Sequence, residues 1–163
     1  MRRVFVREEL CIGCGLCRVF CEAHHAGNDD PLKALGKRTA PPIGGIRVEQ
    51  RGPECISVRC RHCVDAACID ACITGAMHWD EQAGYVLLDL DKCIGCGTCT
   101  LVCPLGAVHI DRQTGKAVKC DGCHDRDVPR CVSVCPNGSL VALEIPSESI
   151  SATARKSPHP LLV

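Results

Sequence analysis

The sequence predicts an α+β fold made of two repeated halves. Three observations lead there. Sixteen of the seventeen cysteines fall into four runs of four. A stretch touching two of these runs repeats itself at an offset of 31 residues. Each copy places a short helical stretch before the alternating, glycine-punctuated pattern of a β-hairpin. The length, 163 residues, allows one domain or two small ones.

The repeat justifies the elements in order. Aligned on residues 99–115, residues 68–84 place Cys68, Cys72, Gly75, Ala76, His78, Asp80, Gln82 and Gly84 on Cys99, Cys103, Gly106, Ala107, His109, Asp111, Gln113 and Gly115. Cys135 followed by Gly138, Ser139 and Leu140 opens the same unit again. Each unit reads as a cysteine loop, a short helix ending near the fourth cysteine, then a glycine turn into a strand. Residues 76–79 and 85–90 form a hairpin with Gly84 at the positive-φ position of the turn. Residues 107–110 and 116–119 form a second, and residues 46–50 and 56–59 a third across 51–54. Residues 3–7 and 139–145 supply outer strands. Residues 22–45, with Pro31, Pro41, Pro42, Gly36, Gly44 and Gly45, read as a surface insertion with a helical piece around 30–36. From Pro146 the chain is serine-rich and aperiodic, the pattern of a disordered tail at 146–163.

The cysteine spacing carries the chemistry. The runs are Cys11-x2-Cys14-x2-Cys17-x3-Cys21, Cys60-x2-Cys63-x4-Cys68-x3-Cys72, Cys93-x2-Cys96-x2-Cys99-x3-Cys103 and Cys120-x2-Cys123-x7-Cys131-x3-Cys135. CxxCxxCxxxC is the bacterial pattern for a [4Fe–4S] cluster, the fourth cysteine serving the other cluster of a pair. Three thiolates at i, i+3 and i+6 wrap a loop around three corners of a cube, and the fourth reaches another. Gly13, Gly15, Gly95, Gly97 and Gly122 lie between ligands, where a tight loop must aim N–H groups at sulfur. Thiolates also suit zinc. Cys60–Cys63 and Cys120–Cys123 alone resemble zinc knuckles, so a mixture with one zinc stays open beside four cubanes. Cys103-Pro104 and Cys135-Pro136 keep the proline that follows the last cysteine of the bacterial pattern, while Cys21-Glu22 and Cys72-Ile73 lack it. Cys55 is left over and reads as a small, partly buried residue. His24, His25, His62, His78 and His109 read as packing or hydrogen-bonding groups near the clusters rather than iron ligands.

Composition narrows the function. The aromatic residues are only Phe5, Phe20, Trp79 and Tyr85, too few for an ordinary core, so clusters replace large side chains as folding centres. A secreted disulfide scaffold is disfavoured, because no signal peptide precedes Cys11 and disulfide frameworks lack this repeat of ligand spacing. A reducing, cytoplasmic location is the expectation. No apolar run reaches membrane-spanning length. Lys plus Arg equal Asp plus Glu, 19 against 19, which excludes a nucleic-acid footprint. Four thiolates around an iron–sulfur cube add roughly two negative charges per site. One basic stretch, Lys33, Lys37, Arg38, Arg47, Arg51, Arg59 and Arg61 against Glu49 and Glu54, reads as a solvated face balancing that charge. The sequence contains no phosphate-binding glycine loop, nucleophile elbow or H-E-x-x-H. A cube held at four corners by cysteine has no open site, which leaves electron transfer.

The run order CxxCxxCxxxC, CxxCxxxxCxxxC, CxxCxxCxxxCP, CxxCx7CxxxCP, from Met1 to about Pro146, resembles the four-cluster iron–sulfur subunits of dimethyl sulfoxide reductase, formate dehydrogenase and hydrogenase complexes. Residues 6–14 and Cys60-Arg61-His62-Cys63 resemble a compact subgroup accompanying carbon monoxide dehydrogenases, hydrogenases and tungsten aldehyde oxidoreductases. The resemblance implies two ferredoxin-like units, residues 56–119 inserted within residues 1–55 and 120–145. It implies ligand sets Cys11, Cys14, Cys17 and Cys135; Cys120, Cys123, Cys131 and Cys21; Cys60, Cys63, Cys68 and Cys103; and Cys93, Cys96, Cys99 and Cys72. Four [4Fe–4S] clusters in a row would then relay electrons in anaerobic metabolism. The family's long C-terminal extension and membrane anchor are missing, pointing to a soluble hetero-oligomer.

The favoured function is a non-catalytic subunit passing single electrons between a catalytic subunit and a second redox partner such as a flavoprotein. A tungsten or molybdenum oxidoreductase of aldehyde or formate type is the favoured catalytic subunit, on resemblance alone. Alternatives are a diffusible polyferredoxin, a carrier for carbon monoxide dehydrogenase or hydrogenase, an iron–sulfur sensor and a structural zinc protein.

Overall fold

A computed structural model describes residues 1–36 and 43–146. The expected tail from residue 147 onward, and Lys37, Arg38, Pro41 and Pro42 of the insertion, lie outside the described residues. The elements run β1 (Arg2–Val6), α1 (Leu16–His25), α2 (Pro31–Leu35), β2 (Ile46–Arg51), β3 (Glu54–Arg59), α3 (Ala67–Asp70), β4 (Met77–Asp80), β5 (Tyr85–Leu88), α4 (Thr98–Val102), β6 (Val108–Ile110), β7 (Ala117–Lys119), α5 (Arg130–Ser133) and β8 (Leu140–Glu144). A 3-10 turn at Glu8–Leu10 leads from β1 into the first cysteine loop. This is a small mixed α/β fold.

Every sheet is an antiparallel pair: β1 with β8, β2 with β3, β4 with β5, and β6 with β7. The first brings the two ends of the described residues together, Arg2 opposite Glu144 and Val6 opposite Leu140. A two-stranded hairpin is marginal alone in water, so side chains between the pairs must hold them. Those side chains are unusually rich in cysteine. Met77, Val86, Cys99, Val108 and Ala117 form one core, with Cys68, Cys72, Cys93 and Cys103 packed against it. Cys17, Cys21, Ile46, Cys131 and Leu140 form a second. A third joins Cys60, Ala107 and Cys120.

Three elements differ from the sequence reading. β2 and β3 run up to Arg51 and Glu54, which pair across a two-residue turn, and Gly52 has φ +59 at its first central position. A type II′ turn requires this, and it draws Cys55 into β3. α1 continues four residues past Cys21, because nothing in Glu22–His25 breaks the helix. The insertion ends buried: Gly44 and Gly45 are enclosed, and a Cβ on Gly45 would strike the Cys120 backbone. The helical piece is α2, whose N-cap Asp30 accepts from the Leu32 N–H at 3.0 Å.

Candidate cluster-binding site

The CxxCxxC loops turn through left-handed glycines. Gly13, Gly15, Gly95 and Gly97 have φ between +68 and +79, and Gly15 and Gly97 cap α1 and α4, which carry the third cysteines Cys17 and Cys99. The second run has no glycine. There His62 takes the position of Gly13, Gly95 and Gly122, at φ +52. It is 1% exposed. Its Nδ1 donates to the Val86 carbonyl at 3.2 Å, and its ring stands edge-on to Tyr85, 4.6 Å between centroids. Burial, with Lys119, Arg59 and Arg3 nearby, pulls the imidazole well below its ordinary value, so it is neutral.

The third and fourth cysteines of each run are four residues apart. On a helical turn that spacing puts both on one face, about 5–6 Å apart at Cβ. Cys17 and Cys21 show it within α1, both buried. Thiols nonetheless gather across runs. Cys11, Cys14, Cys17 and Cys135 line one recess, with Leu10, Val48 and Pro136. Burial pushes the Cys17 thiol up to about 11, its neighbours Cys14, Cys11 and Cys135 adding to the effect. Cys21, Cys120, Cys123 and Cys131 line a second recess, and burial pushes Cys131 up to about 12, Cys120 and Cys123 pressing the same way. Cys68 is pushed up to about 11 by burial and then by Cys60, with Cys103 and Cys63 close by. Cys99 is raised by burial and by Cys93, Cys96 and Cys72. Across these groups Cys131 feels Cys17, and Cys60 feels Cys120.

The donor chemistry fits iron–sulfur cubes. All seventeen cysteines are free thiols. Backbone N–H groups already point at sulfur: Gly45 at Cys21 (3.2 Å), Met77 at Cys72 (3.3 Å), Ala107 at Cys103 (3.3 Å) and Gly122 at Cys120 (3.3 Å). Such bonds stabilise the anionic ligand. At Cys72, burial opposes but the Met77 N–H and the Thr74 hydroxyl prevail, lowering the thiol. Exposure varies among the cysteines. The second quartet is wholly buried, whereas Cys14, Cys63 and Cys96 are exposed.

Cys55, half-buried, packs its sulfur against Gly13, leaving no space there for a side chain. His24 pairs with Asp121 at 3.4 Å beside Cys123. His78 reaches the Ala76 carbonyl through Nδ1 at 3.2 Å, and His109 is half-buried in β6. The basic stretch is not one solvated face. Arg59 is buried, and Arg47 reaches across to the Leu105 carbonyl at 3.1 Å and to that of Gly106. Sequence reasoning missed Gly45, whose N–H serves Cys21, and the buried cations Arg3, Arg59 and Lys119. The Gly44-Gly45 pair and the placing of Arg59 and Lys119 directly before Cys60 and Cys120 were the available signals.

Comparison with known proteins agrees with this chemistry. Residues 53–144 match the family described as 4Fe-4S dicluster domain, and residues 8–23 match the 4Fe-4S binding domain. The sequence is 36% identical over 147 residues to the B subunit of the anaerobic dimethyl sulfoxide reductase of Escherichia coli (strain K12), spanning 83% of this protein and 70% of that one. It is 36% identical over 148 residues to the thiosulfate reductase electron transfer subunit PhsB of Salmonella typhi, spanning 82% and 70%. To the polyferredoxin-like subunit of the aliphatic sulfonate oxidoreductase of Pyrococcus furiosus it is 34% identical over 142 residues, spanning 87% and 76%. Among the described residues, no helix is long and apolar enough to cross a membrane.

Proposed function

The protein belongs to the 4Fe–4S dicluster domain family, and from that premise we propose that it is a non-catalytic electron-transfer subunit holding four [4Fe–4S] clusters in a line. The ligand sets are Cys11, Cys14, Cys17 and Cys135; Cys21, Cys120, Cys123 and Cys131; Cys60, Cys63, Cys68 and Cys103; and Cys72, Cys93, Cys96 and Cys99. Residues 56–119 form an inner ferredoxin-like unit inserted in an outer one of residues 1–55 and 120–145.

One observation carries the reading: among the free thiols, Cys135 shares a recess with Cys11, Cys14 and Cys17, and Cys21 one with Cys120, Cys123 and Cys131, the fourth member coming each time from a different run. Four thiolates per site fill every corner of a cube, so the chemistry available is the gain and loss of single electrons. The polypeptide's own part is to fix spacing and field. The helical turn bearing Cys17 and Cys21 holds neighbouring sites about one turn apart. N–H donors to sulfur favour the electron-rich state.

Both ends of the line open to a partner. Exposed Cys14 lies beside Ile12, 61% exposed, and exposed Cys96 beside Ile94, 66% exposed. One end would face a catalytic oxidoreductase subunit, of the tungsten or molybdenum aldehyde or formate type, and the other a second redox protein such as a flavoprotein, in the cytoplasm. Anaerobic metal analysis tests the cofactor reading: about sixteen iron and sixteen acid-labile sulfide per chain are expected, while about four zinc would refute it. Co-purification of the untagged genomic neighbours tests the partner, and a protein that purifies alone at full cluster content refutes the subunit reading.

A further inference from the structure

Three cations are buried: Arg3, Arg59 and Lys119, each 7% exposed or less. Among the described residues none of them forms an ion pair with a carboxylate. Arg3 lies over the Tyr85 ring at 5.1 Å and donates to the Gly84 carbonyl at 2.8 Å. The other two meet backbone carbonyls, and Arg59 also a cysteine sulfur. Arg59 donates to Cys60 O at 3.0 Å and to Val4 O. Lys119 donates to Cys120 O at 2.8 Å and to Val86 O. Buried charge without an opposite charge is costly, so this region wants anions.

Arg59 and Lys119 are placed alike and crosswise. Each is the last residue of a strand, β3 or β7, and each directly precedes the first cysteine of a run. Yet Arg59, leading into Cys60, lines the recess of Cys21, Cys120, Cys123 and Cys131. Its Nη1 lies 3.9 Å from Cys120 Sγ, and its Nε is buried without a partner. Lys119, leading into Cys120, stands by the other inner quartet: it is 4% exposed, donates to the Cys120 carbonyl, and Cys120 shares one small core with Cys60. Among the described residues no equivalent buried cation stands at the two outer quartets.

We propose that Arg59 and Lys119 are crossed counter-charges that raise the reduction potentials of the two inner clusters above those of the outer two. Arg59 acts on the site of Cys21, Cys120, Cys123 and Cys131, and Lys119 on that of Cys60, Cys63, Cys68 and Cys103. Each inner site takes one electron from its neighbour in the line, which is oxidised by one electron, and no bond or proton moves. The site passes from roughly −2 to −3, so a fixed cation in a low-dielectric surrounding favours the reduced state. The inner pair becomes the resting place of electrons. This rests on the four-cluster reading above.

Anaerobically purified full-length protein is first assayed for iron, so that fewer than four clusters in the wild type counts against the function and not against the counter-charges. Redox titration followed by electron paramagnetic resonance then compares wild type with Arg59→Gln, Lys119→Gln, Arg59→Lys and Lys119→Arg. Each neutral variant is expected to disfavour reduction of one inner cluster by tenfold or more, about 59 mV, a different cluster for each variant. The outer clusters and both charge-conserving variants should keep their wild-type potentials. Unchanged potentials in iron-replete neutral variants overturn the proposal. So does an equal shift of all four clusters, or a conservative variant shifting as far as the neutral one. If a neutral variant fails to load iron while its charge-conserving counterpart loads fully, the requirement for the charge stands; failure of both overturns it.

Discussion

Gly95 and Gly97 lie in one ligand loop, two residues apart, at nearly the same backbone angle, φ +73 and +79. They differ in surroundings. A Cβ on Gly97 would meet nothing within 4 Å, whereas one on Gly95 would run into the Gly115 carbonyl oxygen and come within 3.1 Å of the Gly115 carbonyl carbon. Gly97→Ala therefore costs only the left-handed backbone, about 1–2 kcal/mol. Gly95→Ala adds an overpacking cost of about 1–3 kcal/mol. Together that makes roughly 2–5 kcal/mol. The obstructing atom is backbone, so no rotamer change relieves it. Relief requires moving the turn before β7, and β7 supplies the Ala117 N–H that points at Cys93 Sγ, 3.5 Å away. The assay is guanidinium-driven loss of the cluster chromophore from anaerobic, loaded protein. Both variants should lower the midpoint, Gly95→Ala clearly further. Equal shifts would mean that the loop is not packed against the Gly115 turn.

Cys135→Ser should damage the cluster on Cys11, Cys14 and Cys17 while leaving Cys21, Cys120, Cys123 and Cys131 complete. Resonance spectra assigning the loss to the latter set would overturn the ligand sets. Cys55→Ser should keep about sixteen iron per chain, as elemental analysis would show, because its sulfur only packs on Gly13. Arg47→Ala removes charged hydrogen bonds to Leu105 and Gly106 and should cost about 1.5–3 kcal/mol. Hydrogen exchange at the Ala107 amide, which faces Cys103 Sγ at 3.3 Å, should accelerate, and unchanged protection would rule out the bracing role.

The local pattern was legible in the sequence. Gly84 and Gly115 mark their turns with φ +71 and +69, and the alternating residues around them form β4–β5 and β6–β7. Asp30 and Gly36 bracket α2 as capping residues should. Element ends were less legible. Gly52-Pro53 suffices for a two-residue turn, so β3 begins earlier than composition suggests, and α1 outlasts its cysteines. What the sequence concealed depends on juxtaposition of distant segments. Arg59 and Lys119 look like ordinary solvated cations until folding buries them. His62 departs from the glycine pattern of the other loops at φ +52, and its ring is held by Val86 and Tyr85, 24 and 23 residues away.

On the proposed ligand sets, the wide span of each site also imposes an order of birth. A nascent polypeptide leaving the ribosome can complete Cys72, Cys93, Cys96 and Cys99 first, and Cys60, Cys63, Cys68 and Cys103 four residues later. Cys21 and the first loop must wait, unpaired, until Cys131 and Cys135 emerge. On those sets maturation would run from the centre of the polypeptide outward, and the earliest thiols translated would be the last sealed against oxygen.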